Sequence, residues 1–209
     1  VVNKAGLIET VQSGIPRIDF SDDANGALLL EPQSTNLITY SQDFSNAVWS
    51  PTNSSIETNK TIAPDGEFTA DKLNVITGNS NISSTINYSV ANSTTVFAKY
   101  IDVQFIQIIS TGDADHYANF DLVNGVVGNF GTQTTASIQD YGGGWFRLVC
   151  TYTTGTFAGS LRIYNIASGI VGYAVTTGNV SGSYYIWGAQ VEAQSYPTSY
   201  IPTQGSTVT

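Results

Sequence analysis

Residues 184–191, YYIWGAQV, constrain the fold of this chain more than any other stretch. Tyr185, Trp187, Ala189 and Val191 alternate with Tyr184, Ile186, Gly188, Gln190 and then Glu192. A period of two filled with aromatic and β-branched side chains is that of a pleated strand, and the lack of polar residues before Gln190 puts apolar groups on both faces. Such a strand has to lie centrally in a covered sheet. Pro197 and Pro202 then deny ladder pairing to residues 195–203, so the chain is expected to leave the sheet as an extended segment whose Tyr196 and Tyr200 pack back.

The remaining signals are of the same kind. Asn124-Gly125, between apolar runs at 117–122 and 126–130, is the strongest hairpin signal, and Gly142-Gly143-Gly144 opens a strand over 145–153. Further strands are expected at 36–40, 70–76 and 161–166, with two more over 95–110 split near Asp102. Turn residues recur at sandwich spacing with no long helical period between them. The fold class that follows is all-β, a jelly-roll β-sandwich of two antiparallel sheets. In 209 residues this makes one domain over 31–203, with an N-terminal arm or linker over 1–30 and a tail over 204–209.

Charge narrows the function classes. A net charge of −9 with seven Lys and Arg opposes a phosphate-binding surface, so nucleic acid is not an expected partner. No apolar run approaches the roughly 20 residues of a membrane-spanning helix, and membrane insertion is not expected. The absence of methionine suggests a piece of a longer polypeptide. The one cysteine, Cys150, precludes an internal disulfide and reads as a buried structural thiol.

Several motifs, in order, carry a resemblance. They are Leu30-Glu31-Pro32-Gln33-Ser34-Thr35-Asn36-Leu37 with Asp43-Phe44 and Trp49; Ala63-Pro64-Asp65-Gly66 with Ala70-Asp71-Lys72-Leu73; Phe120-Asp121-Leu122 with Gly125; Gly144-Trp145-Phe146-Arg147; and Ile186-Trp187-Gly188-Ala189-Gln190-Val191-Glu192 with Tyr196-Pro197-Thr198-Ser199-Tyr200-Ile201-Pro202-Thr203. Together they resemble the carbohydrate-binding-like modules of bacteriophage tail fibres and tail spikes, which also accompany secreted polysaccharide-degrading enzymes. Ser34 stands where that pattern has an arginine. The resemblance implies a jelly roll and glycan recognition: a polysaccharide or cell-surface glycan as partner, an extracellular or virion-associated setting, and an assembly compatible with a homotrimer through the parent protein. It is compatible with a structural calcium ion and implies no other cofactor, although Trp187 and Gly188 occupy the place on the last strand where an acidic calcium ligand is sought. The alternatives are a structural or trimerising tail-fibre domain without its own ligand, or a glycoside hydrolase or lyase.

Candidate chemistry follows from alternation. A pyranose stacks its C–H face on an aromatic ring while its hydroxyls and acidic substituents call for Arg, Lys, Asn or Gln. Lys99, Gln107, Arg147, Arg162 and Tyr164 each oppose apolar neighbours in their strands and are expected on one open sheet face as the ligand-binding set. His116, the one histidine, follows Asp113-Ala114-Asp115 in what reads as a polar loop, and no nucleophile-elbow sequence exists to partner it. With no nucleophile, metal or cofactor motif, the isolated domain is expected not to be an enzyme; a carboxylate pair among sixteen acidic residues is the exception composition leaves open. Glu31 and Glu192 read as structural polar anchors.

Overall fold

The computed structural model describes residues 1–76, 80–88, 92–110, 114–153, 157–173 and 180–209. Among these the strands are β1 (Ile18–Asp19), β2 (Ala27–Leu28), β3 (Trp49–Thr52), β4 (Ser54–Thr61), β5 (Ala70–Val75), β6 (Asn81–Tyr88), β7 (Asn92–Tyr100), β8 (Phe105–Ile109), β9 (Tyr117–Asp121), β10 (Val126–Phe130), β11 (Thr134–Asp140), β12 (Trp145–Tyr152), β13 (Phe157–Ile166) and β14 (Gly182–Glu192). Sheet I runs β10-β9-β8-β13-β6-β3 and sheet II runs β11-β12-β7-β14-β5-β4. All pairings are antiparallel, and β1 and β2 form a separate short ribbon. The two large sheets form the expected β-sandwich. Among the described residues no helix is long and apolar enough to cross a membrane.

The core between the sheets joins Ile82, Ile106, Ile108, Phe120 and Ile163 of sheet I to Leu73, Val96, Ala98, Leu148, Tyr184 and Ile186 of sheet II. These are every second residue of their strands, as a period of two requires. Cys150 lies in this core fully buried, and burial pushes its thiol up to about 12.

β14 is central, between β7 and β5, as its two-sided apolar pattern requires. Its alternation, however, changes phase. Trp187 pairs with Phe97 but Gln190 pairs with Thr95, so Gly188 and Ala189 together oppose Val96 in a β-bulge. Gly188 has φ 63° there, and a Cβ on it would approach Phe97 to 2.8 Å, which makes glycine the residue that fits. As a result Tyr184, Ile186, Ala189 and Val191 all face the core, while Tyr185, Trp187, Gln190 and Glu192 share the outer face. The uninterrupted alternation read from the sequence is corrected by one residue at the bulge.

A second correction concerns residues 36–40, expected as the first strand. They make isolated bridges only, Asn36 with Val208 and Tyr40 with Gln204. The Asn36 side chain binds the backbone of neighbouring segments and takes the place of a ladder. The polar strands β6 and β11 were not legible, since few apolar residues alternate in NISSTINY and TTASIQD.

Residues 1–30, read as an arm or linker, lie against sheet II: Ile8 donates its amide to the Pro64 carbonyl and packs on the cluster of Phe97, Trp145 and Trp187.

Candidate functional site

The outer face of sheet II is built around an extended strap, residues 196–203. Tyr200 packs on Trp187 with ring centroids 4.7 Å apart and donates to or accepts from Ser41 Oγ at 2.7 Å. Burial raises the Tyr200 hydroxyl well above its ordinary value. Tyr196, expected to pack back with it, is instead exposed. The strap is fastened by side chains aligned by the bulge. Gln190 accepts the Ile201 amide and donates to the Ser199 carbonyl. Glu192, fully buried, accepts the amide and hydroxyl of Thr198. Glu31 accepts the Ser199 amide at 2.8 Å and pairs with Arg17 at 2.6 Å. Glu31 and Glu192 therefore hold consecutive strap residues, which agrees with their reading as structural anchors, and Arg17 supplies the cation of Glu31.

Arg147 sits under this strap. It projects from β12, is 5% exposed, and its guanidinium carbon lies 5.7 Å from the centre of the Phe97 ring. Nη2 donates to the Thr198 carbonyl at 2.7 Å and to Thr95 Oγ1 at 3.3 Å. Nε is buried with no partner. Among the described residues no carboxylate comes within ion-pair distance of Arg147, the described ion pairs being Arg17–Glu31, Lys60–Glu57 and Lys72–Glu57.

Arg147 lines a cavity of about 190 Å³ together with Tyr141, Tyr200, Gln139, Asp19 and Glu31. Adjoining concavities continue it in both directions. One of about 620 Å³ shares Glu31, Thr198, Ser199 and Tyr200 with it. On the other side one of about 430 Å³ shares Gln139 and Tyr141, followed by one of about 580 Å³ that adds Lys99, Trp145 and the Gly142-Gly143 turn. Consecutive members share lining residues, so they form one interrupted groove along sheet II, roofed by residues 1–30.

The five residues named from the sequence do not share one face. Lys99 and Arg147 lie on the outer side of sheet II, in the groove. Gln107, Arg162 and Tyr164 lie on the outer side of sheet I, across the sandwich, with Tyr164 paired to Gln107. Nor is that second face open. Residues 169–173 cover it: Gln107 Nε2 donates to the Gly172 carbonyl and to Asn119, Asn119 donates to Gly169 and Val171, and Tyr164 is buried beside Ile109 and Ile166. Arg162 is half-buried and donates to Ser160 Oγ. The single open face is thus corrected. Alternation along a strand separates inner from outer sides, but assigns neither the sheet nor the loops that cover it.

Tyr141 and Gln139 were missed. Their one sequence signal is that Tyr141 directly precedes the glycine turn of the β11–β12 hairpin, where an aromatic side chain is left beside a loop with little side-chain bulk of its own.

His116 lies in the turn before β9, as expected, but is buried there against the Tyr152 ring at 5.8 Å; Asp113 lies outside the described residues. Among the described residues no group of three or more His, Cys, Asp or Glu side chains could hold a metal ion.

A separate cleft of about 480 Å³ holds two carboxylates, Asp43 and Asp71, with Tyr40, Asn59 and Gln204. Asp71 accepts the amides of Phe44 and Asn59, the latter at φ 54°. Burial, and to a smaller degree the charge of Asp43, raise Asp71 above the ordinary carboxylate range despite those two bonds. A carboxyl whose folded pKa is raised contributes stability that is complete below its unfolded pKa and is lost as pH rises through the folded one. Asp71→Asn is therefore expected to gain in melting temperature relative to the parent as pH is raised from about 4 to 7, the ordinary carboxylate pKa being about 4. A constant difference across that range would contradict the assignment. Asp19 and Asp121, both lowered although burial opposes it, work in the opposite sense: donors from Ser21 and Val2 hold one, donors from Asn124, Val123 and Gln104 the other. Their contribution is present above the unfolded pKa and lost as pH falls through the folded one.

No family model matches the chain, and no curated protein matches it. Among solved structures, it is similar to the enzymatically active domain of tailspike protein 4 from bacteriophage CBA120, at 14% identity and a TM-score of 0.43, over 75% of this chain. The matched part is 21% of that structure's chain. The expectation of a non-catalytic domain is corrected on this finding, since the similar structure is described as enzymatically active. A likeness this distant assigns no role to any residue.

Proposed function

We propose that this chain recognises a polysaccharide, as part of a phage tail or of a secreted protein, and that the glycan lies along the outer face of sheet II. The observation that carries the reading is the run of adjoining concavities from Thr198 to the Gly142-Gly143 turn, which offers successive subsites to an extended chain. Tyr141, half-buried and edge-on to Phe97 at 5.0 Å, presents an aromatic surface for a sugar ring; Gln139 and Lys99 supply donors along the wall. Stacking of this kind contributes up to about 1.4 kcal/mol, which is tenfold in affinity. A glycan array identifies the polymer. Tyr141→Ala is then expected to weaken it about tenfold with little change in melting, and unchanged affinity would remove the groove from consideration.

A second reading is glycoside cleavage at the Asp43–Asp71 cleft, favoured by the raised pKa of a carboxyl beside a second one. Reducing ends released from the bound polymer, and lost in Asp71→Asn, would establish it.

A further inference from the structure

Charge sets Arg147 apart from the rest of the groove. A guanidinium carries five N–H donors. The two bonds Arg147 makes among the described residues both leave from Nη2, so three donors, one of them the partnerless Nε, stay unused. Its charge is equally unmatched. The two carboxylates lining the same cavity already have partners: Glu31 binds Arg17 and the Ser199 amide, and Asp19 binds the Val2 amide and both donors of Ser21.

A cation removed from water without a counter-charge costs several kcal/mol. Anchoring the strap does not require one, because a neutral donor reaches a carbonyl equally well. The unmatched charge borders a cavity, and the cavity is sized for a small group. At about 190 Å³ it is smaller than the ≈ 300 Å³ where drug-sized pockets begin and suited to one sugar ring. Tyr141 and Tyr200 supply aromatic wall, and Gln139 stands at an exposed rim.

We infer that this cavity is the subsite for one acidic sugar of the polysaccharide, its single negative charge set against Arg147. The inference rests on the polysaccharide reading above and deepens it. A ring carboxylate and a sulfate ester share the required chemistry, and both serve as probes. With a net charge of −9 the protein as a whole repels anionic polymers, so selectivity has to come from this one desolvated cation and not from a basic surface.

The test is an NMR titration of the 15N-labelled chain, following the side-chain Nε–H signals of its arginines, with Arg17→Lys, Arg147→Lys and Arg162→Lys to assign them. Probes are glucuronate, galactose 6-sulfate, glucose, galactose and acetate. Glucuronate or galactose 6-sulfate is expected to shift the Arg147 signal saturably, at least tenfold more tightly than the neutral sugars and more tightly than acetate. Arg147→Lys, which keeps the charge and loses the planar fork, is expected to bind about tenfold more weakly. Should that variant fail to fold, the parent titration still decides. Equal binding of glucose and glucuronate overturns the charge assignment, and equal binding of acetate overturns the sugar. If a polysaccharide from the array binds while the Arg147 signal is unmoved, the inference fails and the broader reading stands. If no polysaccharide binds, the broader reading fails as well.

Discussion

Asn36→Asp is expected to lower the melting temperature by about 10 °C. Asn36 is fully buried and all its hydrogen-bonding directions are used. Nδ2 donates to the carbonyls of Ala189 and Ile201, at 3.1 and 2.9 Å, while Oδ1 accepts the amides of Ile38 and Val191. One side chain thus ties together residues 36–38, the bulged part of β14 and the strap. Aspartate has the same shape and can still accept, but it cannot donate, so it sets a desolvated negative charge against two carbonyl oxygens. Stranding a buried charge in this way costs about 3–5 kcal/mol, and each kcal/mol is worth roughly 2–4 °C in a domain of this size. Asn36→Ala is expected to fall nearly as far, since it leaves four backbone groups without partners. Thermal unfolding followed by circular dichroism measures both. A loss under about 2 °C in the aspartate variant would mean the four bonds are not made together.

Glu192→Ala is expected to remove about 3 kcal/mol and to loosen the strap before the sandwich melts. The carboxylate is fully buried and accepts the Thr198 amide and hydroxyl, with Gln194 as a further donor. Alanine leaves the Thr198 amide unpaired beneath the chain and its hydroxyl with only the longer 3.3 Å bond to the Ser199 carbonyl, each lost bond costing about 1–3 kcal/mol. The consequences run through Thr198, whose carbonyl is the acceptor for Arg147, and through Tyr200, whose ring covers Trp187. Tryptophan emission should therefore shift to the red at temperatures where the far-ultraviolet signal of the sheets is still native. Coincident transitions by both probes would show that strap and sandwich unfold as one unit. Glu192→Gln is the milder variant: its amide oxygen can still accept from Thr198, and the expected loss is about half.

The motifs that carried the resemblance acquire physical reasons here. Glu31, Asn36, Gln190 and Glu192 all bind the strap, Thr198, Ser199 and Ile201 are the groups they bind, and Asp71 holds the Phe44 and Asn59 amides. Buried polar side chains need fixed partners, and on that ground Glu31 and Glu192 were legible as anchors; the same role of Asn36, Gln190 and Asp71 was not. Nor was what each one anchored. The partners lie as far as 168 residues away along the chain, as with Glu31 and Ser199, and no local pattern reports a contact at that separation.

By itself the sequence determined the class of fold, most of its strands and the central place of β14, because apolar alternation and turn residues act within a few positions of one another. It also identified Arg147 and Lys99 as outward-facing. The tertiary structure alone decided three things: the phase change at Gly188 that brings Gln190 and Glu192 to the outer face with Trp187, the assignment of Gln107, Arg162 and Tyr164 to the opposite sheet, and the covering of both outer faces by chain from outside their strands. The reason is common to all three. A period of two says that a side chain leaves a strand on one side or the other, whereas register, sheet membership and cover are set by pairing with distant segments, and only those pairings turn an outward-facing arginine into a buried cation beside a cavity.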